Sequence, residues 1–251
     1  LGFHTQLHCN NFIETVGKEL ESLIDFEQFT VTRNNHISSV KPFPISISFP
    51  NGSEGKNNQN EKEELKKSLG IKTRYIGLGI DRLDYTKGIL ERLKAIEIFL
   101  NKYPVYKGNF TFIQIAAPSR TKVKKYRDFA IDVEKEVERV NNLFKTREWK
   151  PIVFREKHHD HTELQKFYRS ADFCLVTSLH DGMNLVAKEF VASRSDEKGV
   201  LILSQYTGAS RELKSALIIN PYNGEQTADA IREALEMLPK DQTKRMRRMR
   251  E

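Results

Sequence analysis

The chain has 251 residues, 38% hydrophobic and 30% charged, enough apolar material for one large or two small cores under a heavily charged surface. Its 41 Lys and Arg against 34 Asp and Glu give a formal charge of +7, which favours anionic partners: nucleic acid, a membrane surface or phosphorylated small molecules. No apolar run approaches the ~20 residues of a bilayer span, no signal peptide opens the chain, and Cys9 and Cys174 form neither a disulfide framework nor a paired-Cys zinc site, so a cytoplasmic protein is expected.

Leu1 to Thr5 reads as the exit of a buried strand, and with a first residue other than Met it leads to the expectation that an N-terminal portion precedes it. Residues 6–25 predict a helix, with Leu7, Phe12, Val16, Leu20 and Leu23 on one face. Phe29 to Thr32 and His36 to Val40 read as strands around an Asn34-Asn35 turn, and Ile45 to Ser48 as a further strand. Asn51 to Asn60 is polar and rich in turn formers, a linker leading to a charged helix over 61–69 that Gly70 ends.

From there the pattern is regular. Strands are expected at 75–80, 110–115, 151–154, 173–177, 200–203 and 216–219. Helices are expected at 88–101, 122–144, 162–170, 185–193 and 227–238, and a basic helix follows. Strands alternating with helices imply an α/β fold: a parallel sheet covered on both faces, with ligands gathering at the carboxyl ends of its strands. Three loops would converge there, namely Asp81 to Lys87, Ala116 to Arg120 and His180 to Asn184.

The third loop organises the rest. His180-Asp181-Gly182-Met183-Asn184 joins an apolar strand to the helix beginning Leu185-Val186, so free N–H groups and the positive end of the helix dipole face outward. Glu189 lies one turn beyond Leu185, so its carboxylate can meet two ribose hydroxyls on the side of the ligand that those amides address. An ordinary turn capped by Asp181 is the plainer reading of the same residues. In the first loop, Arg82 and Lys87 supply a guanidinium fork and a point charge, which a diphosphate needs. His158, His159 and His161 lack a Cys or carboxylate pattern of known spacing, so no metal is expected. Basic residues are dispersed except at 122–125 and 244–250, which makes nucleic acid the weaker choice of partner.

Asp-Arg-Leu-Asp-Tyr-Thr-Lys-Gly at 81–88, Ala-Pro-Ser-Arg at 117–120, Asp-Gly-Met-Asn-Leu-Val-Ala-Lys-Glu at 181–189, Gly199 to Ser204 with Gly208-Ala209, and Asn-Pro-Tyr-Asn at 220–223 resemble the trehalose-6-phosphate synthase family in order and spacing. The resemblance implies a retaining glycosyltransferase of the GT-B architecture, two Rossmann-like domains with the active site between them. Residues 1–48 would be the end of the N-terminal, acceptor-side domain, 49–70 a linker and charged helix, and 71–251 the C-terminal nucleotide-sugar domain. The implied reaction moves glucose from a nucleoside diphosphate glucose, usually UDP-glucose, to glucose 6-phosphate, forming an α,α-1,1 linkage without metal or other cofactor.

Carried over by the same resemblance, Arg82 and Lys87 grip the donor diphosphate and stabilise the leaving nucleotide. Asp181, with the backbone of Gly182, Met183 and Asn184, holds the transferred sugar. Leu185, Val186 and Glu189 bind the nucleotide, His159 lies beside its base, and Arg120 meets the acceptor phosphate. The departing phosphate would deprotonate the incoming hydroxyl on the same face. The family's glycine-containing donor loop, its acceptor residues and its C-terminal returning helix are not in this sequence. The resemblance therefore implies a piece cut at both ends, binding nucleotide weakly and transferring little by itself. His180 stands where Arg is common in relatives, implying a shifted sugar preference. A glucosylglycerol-phosphate synthase, with another phosphorylated acceptor, and a non-catalytic nucleotide-sugar-binding homologue are the alternatives. Oligomeric state, donor base and acceptor stay open.

Overall fold

The computed structural model describes residues 1–48 and 58–251. Contacts divide the chain into two units, Leu1–Ile47 and Ser48–Glu251. Residues 51–57 of the expected linker lie outside the described residues, while 58–60 form the start of a helix.

The first unit contains β1 (Gly2–Phe3), α1 (Gln6–Glu19), β2 (Leu23–Asp25), β3 (Thr30–Arg33), β4 (His36–Ser39) and β5 (Lys41–Pro42). Thr5 caps α1, and Cys9 and Ile13 pack with Val31 and Val40. β2, β3 and β4 form an antiparallel meander, turned by Asn34 and Asn35 at φ 50° and 62°, while β1 pairs in parallel with β5. The short β1 is exposed at Gly2 and half-buried at Phe3, so the opening is a strand but not a buried one.

Two expectations fail in this unit. The helix stops at Glu19 and residues 23–25 are a strand, because Ile24 sits opposite Val31 and packs into the small core while Leu20 and Leu23 stay exposed. The apolar spacing fitted a helix, but cross-strand pairing captured the segment. Residues 45–48 are not a strand. Pro42 and Pro44 have no N–H to donate to a ladder, and regular pairing ends once Phe43 N–H has donated to Phe3 O at 2.6 Å.

The second unit runs α2 (Asn58–Leu69), β6 (Tyr75–Arg82), α3 (Ile89–Lys102), β7 (Phe110–Ala117), α4 (Lys124–Phe144), β8 (Ile152–Arg155), α5 (His161–Ser170), β9 (Phe173–Val176), α6 (Leu185–Ser193), β10 (Val200–Ser204), β11 (Leu217–Ile219), α7 (Gly224–Glu236) and α8 (Pro239–Arg250). Its six strands form one parallel sheet in the order β11-β10-β9-β6-β7-β8. The strands bury both faces, as the near-continuous apolar runs require. Alternate residues part between two cores: Phe173 and Leu175 join α3, α4 and α7 on one face, and Cys174 and Val176 join α5, α6 and α8 on the other.

The strand order decides where a ligand can sit. From β6 the chain builds outward through β7 and β8, then returns to build outward from the other side of β6 through β9, β10 and β11. The direction reverses between β6 and β9, and a crevice opens at the carboxyl ends of a sheet where its order reverses.

The basic end of the chain is largely spent on packing. Met246 and Met249 of α8 enter the core, Arg247 pairs with Glu197 at 2.7 Å, and Arg250 donates to the carbonyls of Val191 and Ala192. No helix among the described residues is long and apolar enough to cross a membrane.

Candidate functional site

Residues 83–88 leave β6 and residues 177–184 leave β9, one loop on each side of the reversal point. Their backbones are laced together: Leu179 N–H donates to Thr86 O at 2.8 Å, and Thr177 Oγ1 donates to Gly88 O at 2.8 Å. Gly88 permits that approach, since its φ is 63° and a Cβ there would overlap the Thr177 carbonyl oxygen. Asp84 accepts from the Thr86 N–H and hydroxyl, fixing the short turn Tyr85–Lys87.

Lys87 Nζ then lies 2.6 Å from Asp181 Oδ2, with the side chains 15% and 14% exposed. The same oxygen accepts from Asn184 Nδ2 at 3.0 Å and from Ser178 Oγ at 3.4 Å. Asn184 has φ 77°, a region Asn tolerates better than most residues, and its Oδ1 accepts from Ala187 N–H at 3.0 Å. The helix cap is therefore Asn184, and Asp181 is held for something else. Segment 206–209 pins the turn from behind, with Asp181 N–H donating to Tyr206 O, Gly208 N–H to Asp181 O and Ala209 N–H to Met183 O. Gly182 sits between these two anchored residues. Past the turn, Leu185 and Val186 occupy the first turn of α6, where amides have no intrahelical acceptor.

Burial works to raise the Asp181 carboxyl, but Lys87, Asn184 and the Met183 N–H outweigh it and hold the group below its ordinary value of 3.8. The unfolded chain therefore takes up this proton first as pH falls, so the stabilisation is complete above the ordinary carboxylate value and is lost through the lower, native one. In pH-dependent urea unfolding, the stability advantage of the wild type over Asp181→Asn is expected to be constant near neutrality and to shrink below about pH 4. A difference that grows on acidification contradicts the arrangement.

Beneath the pair lies a second, fully enclosed one. Arg92 of α3 is 0% exposed and donates through Nη1 to Asp81 Oδ2 at 2.6 Å and Gln114 Oε1 at 2.8 Å, and through Nε to Thr177 Oγ1 at 3.1 Å. It thus ties the end of β6, the middle of β7 and the exit of β9 together under the loops. Burial raises the Asp81 carboxyl, and Arg92 draws it back.

The remaining expected site residues are placed unequally. Arg82 ends β6, is exposed, and makes no ion pair among the described residues. Arg120, at φ 45° in the loop after β7, donates to Tyr126 Oη at 2.8 Å, and Tyr126 packs on Tyr85 of the first loop with centroids 5.8 Å apart. Arg120 is thereby tied to the same edge. His159 follows β8, with its side chain buried edge-on to Phe167. Its Nδ1 is 2.9 Å from Glu163 Oε2, but neither ring nitrogen has hydrogen-bond geometry, and its contacts are to α5, not to the Lys87–Asp181 pair. Among the described residues no three His, Cys, Asp or Glu side chains gather as a metal site would require. Glu189 accepts from Tyr168 Oη at 2.7 Å. A cavity of about 420 Å³, lined by Lys62, Arg74, Asp172 and Gly199 among others, opens at the amino ends of the strands, away from these loops.

Reading the sequence missed Ser178, Arg92 and Tyr168. For Arg92 a signal existed: it lies three residues after Ile89 and four before Ile96, on the apolar stripe of α3, where a charged residue needs buried partners.

The glycosyltransferase family 20 model matches residues 1–251. The chain is 41% identical over 254 residues to a bifunctional trehalose-6-phosphate synthase/phosphatase of Thermoproteus tenax, covering 100% of this chain and 34% of that protein. It is similar in structure to a UDP-forming α,α-trehalose-phosphate synthase from Burkholderia xenovorans in complex with glucose-6-phosphate, with TM-score 0.90 and 33% identity, over 100% of this chain and 55% of that one. An E. coli protein bound with UDP-2-fluoro glucose matches with TM-score 0.89 and 34% identity, over 99% of this chain and 55% of that one. The chain thus spans between about a third and just over half of these relatives.

Proposed function

The chain belongs to glycosyltransferase family 20, and on that premise we propose that its second unit is the nucleotide-sugar half of an enzyme that moves glucose from UDP-glucose to glucose 6-phosphate, giving trehalose 6-phosphate. The observation that supports this best is the Lys87–Asp181–Asn184 constellation at the reversal point of the sheet, with Arg82 exposed at the end of β6, the strand from which the Lys87 loop leaves. A lysine ammonium has three N–H donors. Asp181 engages one, and two remain for diphosphate oxygens. Arg82 adds a charge that no carboxylate among the described residues neutralises. Together they offset the standing charge of the diphosphate and the further negative charge that develops on it as the sugar departs, which is leaving-group catalysis by fixed charge.

In this reading Asp181 and the backbone of Gly182, Met183 and Asn184 hold the glucosyl hydroxyls. The Leu185 and Val186 amides meet phosphate, Glu189 accepts the ribose hydroxyls, and His159, its side chain enclosed against Phe167, would lie beside the base through its backbone. Arg120 faces the acceptor phosphate from the loop after β7. Retention follows if the departing phosphate takes the proton of the attacking hydroxyl on the same face, with no protein nucleophile and no metal. The Lys87 ammonium beside Asp181 makes that carboxylate a poor nucleophile, which favours this route.

Calorimetric titration of the chain with UDP, UDP-glucose and GDP-glucose tests the donor site. Saturable UDP binding is expected, weakened at least about tenfold in both Arg82→Ala and Glu189→Ala, the scale of one lost charge-assisted contact. A wild type that binds none of the three, or variants that bind as it does, would remove the donor from these loops.

A further inference from the structure

We propose that Tyr168 is a positioning residue for the donor, fixing the Glu189 carboxylate in the orientation that accepts the ribose diol; the assignment rests on the reading of Glu189 as the ribose ligand. Tyr168 is 0% exposed, and its hydroxyl is 2.7 Å from Glu189 Oε2. Burial, with the Glu189 charge beside it, holds the phenol well above its ordinary value, so it is a donor throughout the working range of pH.

The ring has no freedom of its own. It packs edge-on against Phe190 with centroids 6.4 Å apart. The Tyr168 carbonyl accepts from Arg194 Nη1 at 3.1 Å, and the same nitrogen also holds the carbonyls of Arg169 and Ala171. Arg194 follows α6, so one guanidinium clamps the end of α5 to the end of α6 and sets the distance between the tyrosine and the glutamate.

Stability alone gives little reason for this pair. A buried hydroxyl and a half-buried carboxylate pay a desolvation cost that two apolar side chains would avoid. What the pair supplies is orientation. A free glutamate must surrender its rotamer freedom when a ligand fixes it. A glutamate already held by one oxygen surrenders less, and its affinity for a diol rises accordingly. A carboxylate oxygen that accepts the phenol keeps a second lone pair, so the bond to Tyr168 does not block a bidentate contact with the ribose hydroxyls.

The test compares UDP with 2′,3′-dideoxy-UDP, which lacks both hydroxyls, by calorimetry on the wild type, Tyr168→Phe, Glu189→Ala and the double variant. Tyr168→Phe keeps the ring, and its thermal melt checks the fold. It is expected to weaken UDP about tenfold while dideoxy-UDP stays within about twofold, and to add nothing to Glu189→Ala in the double variant. Equal losses for both nucleotides, or no loss for either, overturn the assignment as a merely structural or idle contact. If Glu189→Ala abolishes the discrimination between the nucleotides and Tyr168→Phe preserves it, the tyrosine assignment alone falls. If Glu189→Ala leaves the discrimination intact, or the wild type binds neither nucleotide, the ribose reading of Glu189 falls and the assignment falls with it.

Discussion

Arg92→Met is expected to lower the unfolding free energy by about 3–5 kcal/mol, the cost of leaving a buried charge without its partner. Arg92 is fully enclosed, and its removal strands the Asp81 carboxylate and takes a donor from the Gln114 side-chain carbonyl, while the Thr177 hydroxyl keeps its bond to the Gly88 carbonyl. Urea unfolding followed by circular dichroism measures the loss. Two features separate this cause from a simple packing defect. Arg92→Met combined with Asp81→Val removes both charges, and it should recover at least half of the loss, because a buried pair replaced as a whole costs little. The defect should also ease on acidification. In the single variant the native Asp81 carboxyl, already raised by burial, has lost the charge that drew it back, so the native state binds its proton before the unfolded chain does. Stability then rises as pH falls through that raised value. A loss that is constant with pH and not repaired by the second substitution would mean that the pair carries no such weight. The consequence reaches the site, because this pair ties together the strand ends from which the Lys87 and Asp181 loops start.

Gly88→Ala is expected to cost about 2–4 kcal/mol and to weaken UDP binding at least about tenfold. The left-handed backbone at φ 63° accounts for about 1–2 kcal/mol with any side chain that has a Cβ. The rest comes from overlap with the carbonyl oxygen of Thr177, which is main chain and cannot rotate away. Relief requires the 83–88 loop to move off β9, and Lys87 is drawn away from Asp181 with it. Gly108→Ala is the control: its φ is 78° but nothing lies within 4 Å of the added carbon. That variant should lose only the backbone share, about 1–2 kcal/mol, and keep wild-type nucleotide affinity. Equal behaviour of the two alanines would show that the close approach at Gly88 does not matter.

Much of this protein could be read from its residues because local physics writes it there. The apolar runs at 75–80, 110–115 and 173–177, each short and set between helical patterns, read as buried strands, and all three form them, the last ending at Val176. Asn34-Asn35 could only be a tight turn, and both residues have positive φ. Strand and helix alternation alone placed Lys87, Arg120 and Asp181 on loops at one edge of a parallel sheet, since a helical crossover brings each strand back in the same direction; Arg82, expected in the first loop, is the last residue of β6 at that edge.

What the sequence left open is every choice of partner. Its pattern states that a residue faces a core but not what it meets there. Nothing local makes β6 the neighbour of β9, yet that adjacency alone brings Lys87 within 2.6 Å of a carboxylate 94 positions away. Leu20 and Leu23 fitted a helical stripe until Ile24 found Val31 across a strand pair. Arg92 and Tyr168 carry no motif, and their roles exist only because Asp81 and Glu189 lie at the ends of their side chains. Periodicity and turn chemistry act over a few residues and are legible in one dimension. Ion pairs and hydrogen bonds act over 3 Å in space, and only the packed sheet brings distant residues that close.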